Sequence, residues 1–142
     1  MGEYQHSLDV KGRLFMPAKL RDGLGEKFII TRGLDNCIWA FSMTEWQILE
    51  EKSRSLSFNS RDTRVFMRFI FGGAAVCEPD KQGRFLIPAN LREYANLEKD
   101  AIVMGLPDKV EIWSKELWEK YAAQEEPRLV EIVESINLDS KA

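Results

Sequence analysis

The sequence predicts an α+β protein, a mainly β core with helices, assembled from two tandem copies of one unit. The first observation is a repeated phrase: DVKGRLFMPAKLR at residues 9–21 returns as DKQGRFLIPANLR at residues 80–92, 71 positions later. The second is its extension, since GEKFIITRGLDNCIWAFSMTEW (25–46) aligns with LEKDAIVMGLPDKVEIWSKELW (97–118), now 72 positions apart because the loop EYANL holds one extra residue. The third is the pattern inside each copy, where β-branched and aromatic runs are divided by Gly and Asp turn signals and followed by a helix opened by Ser. A repeat of this length outranks any local motif as a guide to architecture.

Each copy opens with an approach strand that ends at Asp9 or Asp80. Asp at the first turn position and Gly at the fourth predict a type I turn, with Gly12 and Gly83 supplying the left-handed residue of a three-residue hairpin loop. The strands RLFMP and RFLIP follow and run into Pro17 and Pro88, which suit the first turn of a short helix because their missing N–H would have no partner there. These helices, PAKLR and PANLR, bury Ala and Leu and carry Arg21 and Arg92 at their ends. Two more strands follow, divided by Gly-Leu-Asp-Asn and Gly-Leu-Pro-Asp. Ser42 and Glu45 form a capping-box pattern ahead of a helix bearing Trp46 and Leu49, and Ser114 opens its counterpart with Leu117, Trp118 and Tyr121.

Between the copies, Arg61, Arg64 and Arg68 interleave with Val65, Phe66 and Phe69, the pattern of a helix with one basic and one apolar face that ends at Gly72 and Gly73. After Pro127, Leu129, Ile132, Val133 and Ile136 fall on one stripe of a docking helix. The organisation is therefore copy 1 at residues 1–47, a helical linker at 48–75, copy 2 at 76–121 and a helical tail at 122–142. Two modules so small bury proportionally little surface alone and need each other.

Composition narrows the function classes. With 44% hydrophobic and 30% charged residues the chain is ordinary for a globular protein, and its longest apolar run, FIFGGAAV, is far short of the roughly 20 residues that span a bilayer. The N-terminus lacks the basic-then-apolar layout of a signal peptide, so a cytoplasmic location is expected. Cys37 and Cys77 stand apart with no second Cys or His at ligand spacing, and His6 is the one histidine. Neither a metal site nor a disulfide framework is expected, both thiols suit small buried apolar positions, and no cofactor is implied. No nucleophile elbow, phosphate-binding Gly-rich loop or acid pair stands out, so no catalytic residue is expected. The net charge of −3 conceals an uneven distribution: residues 1–32 carry six Lys or Arg against four acids, whereas residues 115–142 carry four against seven. A local basic face for DNA is compatible with that layout.

Such a face has candidates. Asp9 and Asp80, four residues before Arg13 and Arg84, fit turn-stabilising ion pairs, and with Gly12 and Gly83 they are structural. Arg13 and Arg84 follow the hairpin tips directly, and Lys11 and Lys81 lie within them. A tip of this kind can enter the major groove, where an Arg fork reads guanine O6 and N7 while Lys contacts phosphate. An exposed Arg in a turn is also commonly just solvated; the repetition of the whole frame favours a functional reading.

The pattern Asp-x-x-Gly-Arg, three apolar residues and Pro-x-x-Leu-Arg resembles the AbrB-like swapped-hairpin motif of transcription factors. Two copies, together with TRGLDNCIWAF, RFIFGGAAVCEPDKQGRFLIPANLREYA and VEIWSKELWEKY, resemble the bacterial MraZ family over nearly the whole chain, to about Tyr121. The resemblance implies two tandem repeats interleaved into one pseudo-twofold, β-barrel-like core. It implies a sequence-specific double-stranded-DNA-binding regulator, associated with the nucleoid, that represses its own division and cell-wall gene cluster. It further implies a ring-like homo-oligomer on short direct repeats, with DNA contacts from Arg13, Arg84, Lys11, Lys81, Arg21 and Arg92. One departure bears on the last two: single-copy relatives can carry a second basic residue after that arginine, whereas Asp22 and Glu93 stand here. The alternative is an antidote-type module that binds a toxin through an acidic C-terminal end.

Overall fold

The strands at the outer edges of this fold find their partners in the opposite copy. The computed structural model describes residues 1–136. The first copy comprises β1 (Gly2–Ser7), β2 (Arg13–Phe15), α1 (Ala18–Leu24), β3 (Phe28–Arg32), β4 (Ile38–Ser42) and α2 (Met43–Arg54). After α3 (Arg61–Ile70), the second repeats the series as β5 (Ala75–Cys77), β6 (Arg84–Leu86), α4 (Ala89–Tyr94), β7 (Asp100–Gly105), β8 (Val110–Ser114) and α5 (Lys115–Glu125), with α6 (Leu129–Ser135) beyond. The predicted order of elements is thus present in both copies. The last six positions of the predicted tail, 137–142, lie outside the described residues.

Six strands form one antiparallel sheet in the order β1-β7-β8-β4-β3-β5. β1 pairs with β7 and β5 pairs with β3, so each copy donates its approach strand to the other. The centre of the sheet, where β4 meets β8, sets Trp39 opposite Glu111, its own counterpart at the 72-residue offset. β2 and β6 form a separate two-stranded ribbon in which Leu14 faces Phe85, again its own counterpart. Both pairings mark one pseudo-twofold axis. The interleaving expected from the repeat is present, but the hydrogen-bonded ladder of the described residues ends at β1 and β5 and does not close into a barrel. β5 is only three residues long, which leaves little edge to pair onward.

The core is shared accordingly. Leu14, Met16, Phe28, Ile30, Phe85, Ile87, Leu91, Val103 and Ile112 form one cluster drawn from both copies, with Phe28 and Phe85 packed edge to face at 5.2 Å. Each such side chain contributes about 1.5–3 kcal/mol on burial, stabilisation neither half has by itself. Pro17 and Pro88 occupy the cap position rather than the first helical turn: their backbone is extended, and each carbonyl accepts the N–H groups three and four residues on. Ser42 Oγ accepts the Glu45 N–H at 3.1 Å and Ser114 Oγ the Leu117 N–H at 3.4 Å, which is the serine half of the capping pattern. Cys37 and Cys77 are both buried.

Two satellite clusters lie under the helices. Ile29, Phe41, Trp46 and Ile70 pack with Phe66 and Phe71, so α3 folds back over the first copy. On the second copy Ile102, Trp113 and Cys37 pack with Trp118 and Tyr121 of α5. The expected docking stripe of α6 joins neither cluster: Leu129 and Ile136 are 57% and 58% exposed, and Ile132 and Val133 are half-buried.

Candidate nucleic-acid interface

Each hairpin tip is organised by one aspartate. The Asp9 carbonyl accepts the Gly12 N–H at 3.0 Å, closing the turn, and the Asp9 N–H donates to the Arg13 carbonyl at 2.9 Å. Asp9 Oδ1 accepts the N–H groups of Lys11 and Arg13, each at 2.9 Å, while Oδ2 accepts Arg13 Nε at 2.7 Å. The second tip repeats every contact: Asp80 Oδ1 takes the N–H groups of Gln82 and Arg84 at 2.9 Å, and Oδ2 takes Arg84 Nε at 3.0 Å. Gly12 and Gly83 have φ of +82° and +83°, a left-handed conformation that costs an L side chain about 1–2 kcal/mol.

These contacts hold both carboxyls below the ordinary aspartate range. For Asp9 the largest cause is the Arg13 backbone N–H; partial burial opposes it, and the Arg13 guanidinium and Lys11 N–H reinforce it. For Asp80 the Arg84 backbone N–H leads in the same way. An ion pair this exposed adds little stability. What it fixes is direction: with Nε tied to aspartate, the two Nη groups of each arginine have no hydrogen-bond partner among the described residues.

The ribbon brings the two arginines together. In the antiparallel register Arg13 lies opposite Leu86 and Phe15 opposite Arg84. Side chains alternate along a strand, so Leu14 and Phe85 point into the core while Arg13, Phe15, Arg84 and Leu86 share the outer face. Arg13 and Arg84 are diagonal neighbours, about 7–8 Å apart at the backbone. Lys11 and Lys81 are exposed at the tips, at opposite ends of the ribbon. Phe15 and Leu86 belong to this face as well, and the alternation from Leu14 and Phe85 was a signal by which sequence reasoning could have placed them.

Arg21 and Arg92 lie beside the tips rather than on the ribbon. Both are half-buried, and each packs against the glycine of the opposite tip, Arg21 against Gly83 and Arg92 against Gly12. Arg21 also covers the Phe15 ring, its Cζ 5.2 Å from the centroid. Among the described residues no group of three His, Cys, Asp or Glu is placed to hold a metal ion, and no helix is long and apolar enough to cross a membrane.

Comparison with known proteins places this geometry in a family. The model for the MraZ protein, a family described as antitoxin-like, matches twice, at residues 1–69 and 70–139, so that each match includes the helices after its copy's sheet. The chain is similar to the transcriptional regulator MraZ of Pelotomaculum thermopropionicum, 55% identical over 136 residues that cover 96% of this chain and 94% of that protein. It is 56% identical over 135 residues to the one from Acetivibrio thermocellus, covering 95% and 94%, and 53% identical over 136 residues to that of Desulforamulus reducens, covering 96% of both. With both copies matched and the similarity running almost end to end, this chain belongs to the MraZ family.

Proposed function

We propose that this protein is a sequence-specific double-stranded-DNA-binding transcriptional regulator that represses its own division and cell-wall gene cluster. The observation that carries the reading is the outer face of the ribbon, where Arg13 and Arg84 stand together with Nε held by aspartate. Each remaining Nη fork suits guanine O6 and N7 in the major groove, which admits a two-stranded ribbon. Fixing the fork beforehand lowers the entropy lost on binding. The diagonal spacing of about 7–8 Å is close to two base steps of 3.4 Å. Lys11 and Lys81 reach phosphates on either side. The names of the relatives, transcriptional regulators, agree with this reading.

One ribbon is a small contact surface, and a net charge of −3 gives little long-range attraction to DNA. Affinity comes instead from multiplicity: a homo-oligomer, ring-like when its contacts are head-to-tail, engages several short direct repeats and gains about 10²–10⁴ in avidity. Val65 and Phe69 on α3, and Leu129 and Val130 on α6, supply apolar surface for contacts between copies.

Fluorescence anisotropy on DNA from upstream of the protein's own gene tests the reading. Arg13→Ala and Arg84→Ala each weaken binding by about 1–3 kcal/mol, whereas Lys11→Ala and Lys81→Ala chiefly lower the salt dependence. Equal affinity of wild type and the double arginine variant removes the proposed role. A particle that scatters light as a monomer, or affinity indifferent to repeat number, removes the oligomeric mechanism. The antidote alternative draws on the family description and the uncovered apolar residues of α6. Retention of a toxin by the full chain, competed by DNA or not, separates the two.

A further inference from the structure

We propose that Arg21 and Arg92 are positioning residues, each guanidinium propping the hairpin tip of the other copy so that the two tips are set as a pair. As basic residues in the last turns of short helices both invite assignment as phosphate contacts. Their surroundings differ from that assignment. A Cβ built on Gly83 would stand 2.6 Å from Arg21 Nη1 and 2.9 Å from Cζ, and one built on Gly12 would stand 2.7 Å from both Cζ and Nη1 of Arg92. Only a bare glycine lets a guanidinium lie so close beneath the turn.

Both Nε atoms are buried and without a hydrogen-bond partner, and neither arginine has an ion-pair partner among the described residues. Packing holds them in place of charge pairing. The grooves beside them are also predominantly acidic: Asp22, Glu26, Glu78 and Asp80 outnumber Lys81 in the one at Arg21, and Glu93 and Glu98 line the one at Arg92. A phosphate there would face carboxylates of its own sign.

The connections close on themselves. Arg13 leads through β2 and α1 to Arg21, which supports Gly83 beside Arg84; Arg84 leads through β6 and α4 to Arg92, which supports Gly12 beside Arg13. The halves differ in one respect. Arg21 is backed by the Phe15 ring, whereas the counterpart of Phe15 is Leu86, 54% exposed and without a ring to stack on. The tip at Gly83 is therefore the more firmly set.

The inference rests on the proposed DNA-reading role of the tips only in its second arm of testing. In the first, amide NMR of the free full-length chain compares Arg21→Gln and Arg92→Gln with wild type. Arg21→Gln is expected to shift residues 80–84 more than 9–13, and Arg92→Gln the reverse. Changes confined to each variant's own copy overturn the proposal whatever happens with DNA. In the second arm, anisotropy over a salt series is expected to show about tenfold weaker binding by Arg21→Gln with an unchanged salt slope, and loss of base discrimination at the positions that Arg84→Ala also loses. A slope reduced by about 0.9 with discrimination intact makes Arg21 a phosphate ligand and overturns the proposal. Arg21→Lys keeps the charge but not the flat head. It is expected to behave like the Gln variant, and it carries the test if that variant does not fold; recovery of wild-type tip shifts by Lys rules out the prop. If Arg13→Ala and Arg84→Ala leave DNA binding unchanged, the reading of the tips fails while the amide shifts still decide the coupling.

Discussion

Trp39 donates its indole N–H to Glu111 Oε2 at 3.0 Å, and Glu111 is the residue directly opposite it where the two copies meet in the sheet. The other carboxylate oxygen accepts the indole N–H of Trp113, also at 3.0 Å. One side chain on the pseudo-twofold axis thereby satisfies an indole from each copy. Glu111→Ala leaves both donors without partners at a cost of about 1–3 kcal/mol for each buried one, less where water reaches it. The expected destabilisation is about 2 kcal/mol, read as a lower urea midpoint at unchanged slope, with Glu111→Gln about half as costly because it keeps one acceptor. An unchanged midpoint in Glu111→Ala would show that this carboxylate does not join the copies.

The exchange of approach strands makes a second expectation. Among the described residues β1 pairs only with β7 and β5 only with β3, so residues 1–69 or 70–142 expressed alone retain a sheet edge and half a core with nothing to cover them. Either half is expected to be unfolded by circular dichroism or to sediment as a dimer that rebuilds the pairing with a second copy of itself. A stable, cooperatively unfolding monomer of either half is the outcome that contradicts the interleaved core.

The repeat made much of this legible before any coordinates. Asp9, Gly12, Asp80 and Gly83 announce their turns because a left-handed backbone and a side chain that caps its own loop restrict residue type locally. Ser42 and Ser114 are legible for the same reason. The partner of each strand is not: β1 would satisfy the same alternation within its own copy, and only the pairing with β7 reveals the exchange. The surroundings of Arg21 and Arg92 are not legible either. A basic residue at a helix end is indistinguishable in sequence from a surface contact, and its burial beneath Gly83 or Gly12 depends on a tip 62 or 80 positions away. The helices after each sheet show the limit most plainly, since α3 and α6 carry similar apolar stripes yet only α3 packs on the body.

Glycine substitutions distinguish the two tips from an open helix position. Gly23, inside α1, has nothing within 4 Å of a built Cβ and no left-handed φ, so Gly23→Ala is expected to stabilise by about 0.5–1 kcal/mol through helix propensity. Gly12→Ala and Gly83→Ala are expected to destabilise by about 1–2 kcal/mol each, because their φ is strained for any L side chain. The added Cβ would also meet the arginine packed against each turn and, at Gly83, the Phe15 ring at 3.0 Å, so crowding acts in the same direction as φ. Thermal or urea unfolding of the three variants checks the ordering, and a neutral Gly83→Ala would contradict the turn geometry.

The aspartates at the tips fix a pH dependence whose sign follows from their lowered pKa. A carboxyl depressed in the folded state contributes stability that is fully present above its unfolded pKa and is lost as pH falls through the folded one. The ordinary value is 3.8, so Asp9 and Asp80 are both ionised throughout the neutral range and release their arginines only in stronger acid. Carboxyl carbon NMR is expected to place both midpoints below 3.8. In Arg13→Ala the Asp9 midpoint should rise only part of the way, because the leading cause is the backbone N–H at residue 13, which the substitution keeps. A wild-type midpoint at or above 3.8 would mean that Asp9 does not grip the turn, and the fork of Arg13 would then be free to rotate. With the midpoint below it, DNA affinity between about pH 5 and 8 should be untouched by these two groups. Asp9→Asn should weaken DNA binding at neutral pH with fold retained, since the amide can still accept the loop N–H groups but no longer pairs as a charge with Nε.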